Sequence, residues 1–135
     1  MTTIITRAVK GSPLTNAEVD ANFSNLNNSK IELSVGTMAS GATITPAVSN
    51  SQYNVTALAV PATVAAPSGT PVAGGKLILR IKDAGTAMGL TWNAIYRGVG
   101  LTLPTTTVAG KVLYLGLTYN GTDSKWDALA LSVEA

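Results

Sequence analysis

The clearest strand in the sequence is KLILRIKD, residues 76–83. Leu77, Leu79 and Ile81 share one face of an extended chain, whereas the basic side chains fall mostly on the other face. Alternation with a period of two predicts a strand that is buried on one face and solvated on the other. The fold prediction starts from this half-buried strand.

Further strand-sized runs follow toward the C-terminus, separated by turn residues. They are residues 90–97, 99–103, 111–119 and 125–133. Asn120-Gly121 predicts a hairpin between the last two, because this pair tolerates positive φ. Asp127 is predicted to share a face with Leu129, Leu131 and Val133. The series predicts a mainly β fold, a single antiparallel β-sandwich or jelly-roll-like domain. No repeat with a period of roughly 20 to 50 residues is visible, so a solenoid is not expected.

The region before this strand is rich in small residues and almost free of charge. We predict a linker over residues 34–52 and a first strand near residues 53–59. Pro61, Pro67 and Pro71 argue against a helix and confine any strand nearby to an edge or a short run. The predicted β-sandwich domain therefore spans residues 53–135.

An extended arm and a short, capped α-helix are predicted at the N-terminus. Thr15 and Glu18 have the T-x-x-E spacing of a capping box, in which each side chain accepts a hydrogen bond from the other residue's backbone N–H. Leu14 and Val19 are spaced to form a hydrophobic staple across the cap. The arm is predicted to end at Pro13, where the helix signal begins.

One apolar stripe, made of Val19, Phe23 and Leu26, runs along this helix with spacings of four and three residues. A helix of about three turns is marginal alone in water, so the stripe needs a surface. That surface is either the domain's own core or another subunit. We predict that residues 1–33 form an anchoring or oligomer interface. The residues assigned to it are Leu14, Thr15, Glu18, Val19, Phe23 and Leu26.

Charge is scarce in this chain of 135 residues: 12% of them are charged and 46% are hydrophobic. The usual charged share is about 25%, so we expect the chain to hide surface against copies of itself or a partner. The most apolar stretch, residues 58–67, is shorter than the roughly 20 residues needed to cross a bilayer, so membrane insertion is not expected. The net charge of +2 is spread along the chain and predicts no nucleic-acid partner.

The inventory of reactive side chains is small, since the sequence contains neither cysteine nor histidine. Asp123 and Asp127 flank the predicted hairpin and are the best candidates for a paired-carboxylate glycosidase, but turns favour Asp for backbone reasons alone. Calcium binding by Asp83, Asp123 or Asp127 lacks the spacing of a known loop. We therefore assign no catalytic residue, no metal site and no cofactor, and expect no enzyme.

The large aromatic side chains of the β region are expected to fill the core or a seam between subunits. Trp92 and Trp126 are kept as candidates for contact with a surface glycan, because an indole ring can stack on a sugar. The N-terminus lacks an apolar run followed by a cleavage site, which favours assembly in the cytoplasm.

Two segments resemble structural proteins of tailed-bacteriophage particles. Residues 10–23, KGSPLTNAEVDANF, resemble the K-G-x-P-L-T-x-x-E-x-D-x-N-F segment near the N-terminus of many tail fibre proteins. Residues 75–126 are similar to a small β domain that recurs in phage structural proteins. The quoted motifs are LILRIKD at 77–83, LTWN at 90–93 and LGLTYN at 115–120.

The resemblance implies a place in the virion, self-assembly as a homotrimer or in another symmetric form, and no cofactor. A short tail or baseplate fibre is the leading interpretation, with other tail or baseplate proteins as partners. A capsid decoration, or cement, protein is the alternative. A carbohydrate-binding module for host attachment and a small depolymerase are weaker alternatives.

Overall fold

A computed structural model describes residues 4–29 and 33–135 of the chain. The chain divides into two compact units, Met1–Glu32 and Leu33–Ala135. The first unit contains short helices and the second contains strands. The predicted class, mainly β with a short N-terminal helix, is confirmed.

The N-terminal unit holds helix α1, Arg7–Lys10, and helix α2, Asn16–Ser29. Thr6 Oγ1 accepts a hydrogen bond from the Val9 N–H at 3.3 Å and caps α1. Gly11, with φ of 72°, ends α1 in the left-handed conformation. The arm predicted to be extended therefore contains one helical turn, because these residues cap both of its ends.

The β unit contains nine strands within the described residues. They are β1 Val35–Met38, β2 Thr43–Ile44, β3 Gln52–Leu58, β4 Ala62–Val64, β5 Lys76–Asp83, β6 Leu90–Trp92, β7 Tyr96–Gly98, β8 Val112–Asn120 and β9 Lys125–Val133. A six-stranded sheet has the order β1-β3-β5-β8-β9-β7, and a three-stranded sheet has the order β2-β4-β6.

The first six strands alternate between the two sheets along the chain, and within each sheet they pair in parallel. The chain thus passes three times from the large sheet to the small one, which is the winding of a parallel β-helix. A lone parallel bridge between Ala47 and Ser68 joins successive turns after the small sheet.

This winding corrects two predictions, the antiparallel sheet and the absence of a solenoid. The sequence did not indicate this winding because its turns are unequal in length. Val35 pairs with Gln52, 17 residues later, whereas Gln52 pairs with Ile78, 26 residues later. Without a constant period, the repetition is invisible in the sequence.

The C-terminal strands follow the antiparallel prediction more closely. β5 pairs with β8 and β8 with β9 in antiparallel fashion, and β7 pairs with β9 in parallel at the sheet edge. The hairpin between β8 and β9 is confirmed, with Asn120 Oδ1 accepting from the N–H groups of Thr122 and Asp123 at 3.0 and 3.1 Å. Its positive φ falls on Ser124, at 54°, and not on the Asn-Gly pair.

The predicted linker, residues 34–52, belongs to the β unit, which is a correction. β1 pairs with β3, β2 pairs with β4, and Ile44 is fully buried. Both strands are short and lie at sheet edges. Their structure comes from pairing with a neighbour and from one buried side chain rather than from a strong local β pattern.

The two sheets share one apolar core, to which Leu77, Leu79 and Ile81 contribute as predicted. The register also stacks aliphatic residues on adjacent strands, with Ile81 opposite both Val55 and Leu113. Burying one such side chain contributes about 1.5–3 kcal/mol. The β unit is therefore stabilised largely by the face that the alternation in residues 76–83 predicts.

A β-bulge lies between β8 and β9, where Leu129 has no partner in the register. Before the bulge Asp127 lies opposite Thr118, and after it Leu131 lies opposite Leu115. Positions 115 and 118 of β8 face opposite sides of the sheet. The prediction that Asp127 and Leu131 share a face is therefore wrong, because the extra residue reverses the alternation.

Candidate functional site

The predicted capping box forms at the start of α2. The Thr15 N–H donates to Glu18 Oε2 at 2.7 Å, and the Glu18 N–H donates to Thr15 Oγ1 at 3.3 Å. The Lys10 ammonium also donates to the Glu18 carboxylate. Hydrogen bonds from Lys10 and then from Thr15 lower the pKa of Glu18 to about 2. The carboxylate therefore fixes the helix start and joins α1 to α2.

A second link ties the N-terminal arm to the middle of α2. The Ile5 N–H donates to Asn22 Oδ1 at 2.8 Å, and Asn22 Nδ2 donates to the Ile5 carbonyl at 2.7 Å. The amide side chain thus pairs with the backbone in the way that a neighbouring strand would. The arm is held along the helix, so residues 5–22 form one pre-organised element.

The apolar stripe of α2 remains largely uncovered. Leu14 and Val19, the predicted staple residues, are half-buried. Phe23 is 67% exposed and Leu26 is 56% exposed. Of the six predicted interface residues, the two capping residues are used within the unit, and Phe23 and Leu26 offer the largest apolar surface to a partner.

The two tryptophans lie in different surroundings. Trp126 is 1% exposed and packs on Tyr119 with ring centroids 5.3 Å apart, so the predicted glycan contact at Trp126 is wrong. Trp92 is half-buried, packs edge-on against Tyr96, and donates from Nε1 to the Pro104 carbonyl at 2.7 Å. The burial of Trp126 agrees with the expectation that the large aromatic side chains of the β region fill the core.

Asp123 and Asp127 do come together, through a shared arginine. Arg97 donates to both Asp127 oxygens, at 2.8 and 3.0 Å, and to Asp123 Oδ2 at 2.9 Å. The hydrogen bonds that Asp127 accepts from Arg97, and to a lesser extent the one from Asn120, lower its pKa. A catalytic acid needs a raised pKa, whereas this arrangement keeps Asp127 ionised and closes the base of the hairpin.

Asp83, the last residue of β5, joins two loops from inside the protein. Its side chain accepts from the Gly85 N–H at 2.7 Å, the Gly110 N–H at 3.0 Å and the Thr107 hydroxyl at 2.5 Å. Burial raises the pKa of Asp83, but these hydrogen bonds outweigh burial and lower it. Asp83 therefore acts as a structural cross-link, which no spacing in the sequence could reveal.

Two further properties concern metals and membranes. Within residues 4–29 and 33–135, no group of three or more His, Cys, Asp or Glu side chains is placed to hold a metal ion. In the same part of the chain, no helix is long and apolar enough to cross a membrane.

No protein-family model, no curated protein and no solved structure matches the chain. A functional assignment therefore depends on the contacts described above and on the resemblance of residues 10–23 and 75–126 to phage structural proteins. The most prominent of these features is the capped helix with its uncovered stripe.

Proposed function

We propose that the chain is a non-enzymatic structural component of a tailed-bacteriophage particle, a short tail or baseplate fibre-type protein attached through its N-terminal unit. The observation that carries this proposal is the exposure of Phe23 and Leu26 on a firmly capped helix. That helix begins inside the KGSPLTNAEVDANF segment, which resembles the N-terminal segment of tail fibre proteins.

The construction of the N-terminal unit supports an attachment role. Its capping box and the bonds between Ile5 and Asn22 order the backbone before any partner arrives. Pre-organisation lowers the entropy cost of binding, so a small apolar surface can bind more tightly. The β unit, with its own core, has the properties of a module that this anchor would present.

The first test is incorporation into phage particles assembled with altered chains. Deleting residues 1–33 is expected to leave a soluble, folded β unit that no longer joins particles. Phe23→Ser in the full chain is expected to lower incorporation, whereas Val72→Ser is the matched control, because Val72 is 75% exposed in a loop of the β unit. Incorporation of the truncated chain at the wild-type level would show that the N-terminal unit is not the anchor.

The second test is the position of the chain in a particle map. The fibre proposal expects density on the tail or baseplate. Density on the icosahedral shell and none on the tail would instead favour the capsid decoration protein.

Glycan binding has one remaining aromatic candidate from the sequence, Trp92, and loss of glycan-array signal in Trp92→Ala would support that weaker alternative.

A further inference from the structure

An apolar groove of about 390 Å³ crosses the outward face of the six-stranded sheet. Its floor is a row of residues on adjacent strands, in which Ile78 lies opposite Gly116 and Gly116 lies opposite Ala130. Leu33 and Leu129, which are 86% and 58% exposed, also line it. The groove is therefore a depression between uncovered aliphatic side chains.

Small residues make the groove deep at its centre. A Cβ added at Gly116 would lie 3.6 Å from the Ala130 Cβ, which is an ordinary contact distance. The backbone there has no positive φ, so the fold tolerates a side chain at this position. The absence of a side chain at Gly116 leaves room for a group from outside.

The groove has a positive rim. The outward side chains of β5 include Lys76, Arg80 and Lys82, and the Arg80 Nε–H donates to the Tyr114 hydroxyl at 3.1 Å. Lys82 has a carboxylate partner, Glu134, at 3.7 Å, whereas no described residue forms a salt bridge with Lys76 or Arg80. The groove therefore suits an apolar segment that carries negative charge.

Helix α2 has this combination of properties. Its stripe exposes Phe23 and Leu26, and the charged residues of Asn16–Ser29 are both acidic, Glu18 and Asp20. The stripe covers eight residues, from Val19 to Leu26, whose seven steps rise about 10 Å along a helix. The row on the floor of the groove crosses three strands, which also span about 10 Å. The stripe and the row therefore match in length and in apolar character, and Asp20 beside the stripe supplies a negative charge, since Glu18 is already paired with Lys10.

We propose that the groove of one copy of the chain binds helix α2 of a second copy. The proposal rests on the proposed function, since it names the contact through which the structural module assembles. Phe23 would fill the depression over Gly116, and Asp20 near the start of the helix would face Lys76, which lines the groove. Each copy carries both surfaces, so the contact is either reciprocal between two copies or head-to-tail, and the head-to-tail form closes a ring of like subunits when the rotation permits.

The test is the association of the full-length chain, measured by sedimentation equilibrium over a range of concentrations. We expect the wild type to associate. Phe23→Ser removes the anchor and Gly116→Val fills the groove, so each is expected to weaken association by at least about tenfold. Mixing the two variants is expected to restore a complex of two chains, because one intact groove then meets one intact helix.

Two controls separate the contact from folding. Thr37→Val places a valine on the same sheet face outside the groove and is expected to leave association unchanged. Leu129→Asp places charge in the groove at an exposed position, so it tests the same contact if Gly116→Val fails to fold. A wild type that stays monomeric at every concentration overturns the proposal. Unaltered association in both Phe23→Ser and the groove variants, or no complex on mixing, also overturns it.

The same chains distinguish this proposal from the proposed function. A wild-type chain that stays monomeric in solution, together with particles that incorporate Gly116→Val and Leu129→Asp normally, would overturn the groove contact and leave the structural role. Chains that associate through the groove but never enter particles would overturn the structural role and leave the contact.

Discussion

Two large apolar side chains, one from each unit, lie in opposite surroundings. Leu79 in the β unit is fully buried between the sheets, whereas Phe23 in the N-terminal unit is 67% exposed. Burial of side chains such as Leu79 stabilises the β unit, while local hydrogen bonds fix the N-terminal unit and leave its apolar stripe uncovered. We propose that Leu79 serves stability and Phe23 serves contact, and the predictions below test this division.

The largest expected effect is that of Leu79→Ala. Removing a fully buried leucine leaves a cavity, so we expect the β unit to lose about 3–4 kcal/mol of unfolding free energy. Denaturant unfolding followed by the fluorescence of buried Trp126 measures this loss. The matched variant Phe23→Ala should change the same quantity by less than about 0.5 kcal/mol. Equal losses in the two variants would contradict the division between the units.

The second prediction concerns Asp83. Asp83→Ala removes a buried acceptor and leaves the Gly85 and Gly110 N–H groups without it, so we expect a loss of about 2–3 kcal/mol. Since folding lowers the pKa of Asp83, its contribution is present above the ordinary value of 3.8 and is lost as the pH falls below it. Urea unfolding at pH 7 and pH 3 measures both effects. Asp20→Ala, at an exposed carboxylate, should change neither result.

The third prediction concerns the cap of α2. Thr15→Ala removes the side-chain acceptor of the Glu18 N–H and is expected to destabilise the helix by about 1 kcal/mol. Faster amide hydrogen exchange at positions 18–22, with unchanged exchange in β5 and β8, is the expected measurement. Thr70→Ala, an exposed loop substitution, is the control and should leave exchange in α2 unaltered.

The smallest expected effect is the pH response of α2. The pKa of Glu18 is lowered from 4.5 to about 2, so its stabilising bonds persist above pH 4.5 and are lost as the pH falls toward 2. The amide resonance of Thr15, which donates to this carboxylate, should shift over that interval in NMR spectra. Glu18→Gln should abolish the shift. A midpoint near 4.5 in the wild type would show that the box does not hold the carboxylate.

Local signals explain what could be predicted. The alternation of Leu77, Leu79 and Ile81 identified β5 and its buried face, because a solvated strand with period two has few alternatives. The spacing of Thr15 and Glu18 identified the start of α2 for a similar reason, since both partners of the cap lie within four residues. The spacing of Val19, Phe23 and Leu26 predicted the stripe as well, but it left open whether the domain's own core or another subunit covers it.

Non-local pairing explains what was missed. Ile44 sits in a two-residue strand that exists because β4 lies beside it, and nothing around it in the sequence indicates a core position. The groove depends on Ile78, Gly116 and Ala130 meeting across three strands, which register alone decides. The bulge at Leu129 reversed the faces of β9 by one residue, a change that the alternation could not anticipate.

The longer second turn of the β winding has a practical consequence for protein engineering. Most of its extra length lies in residues 69–75, between the bridge at Ser68 and the start of β5, with Gly69 and Gly74 at positive φ. The strands β4 and β5, which flank this excursion, pair in parallel with β2 and β3, respectively. A peptide epitope or tag inserted beside Val72 would therefore be displayed on the surface, while the strands on either side keep their register.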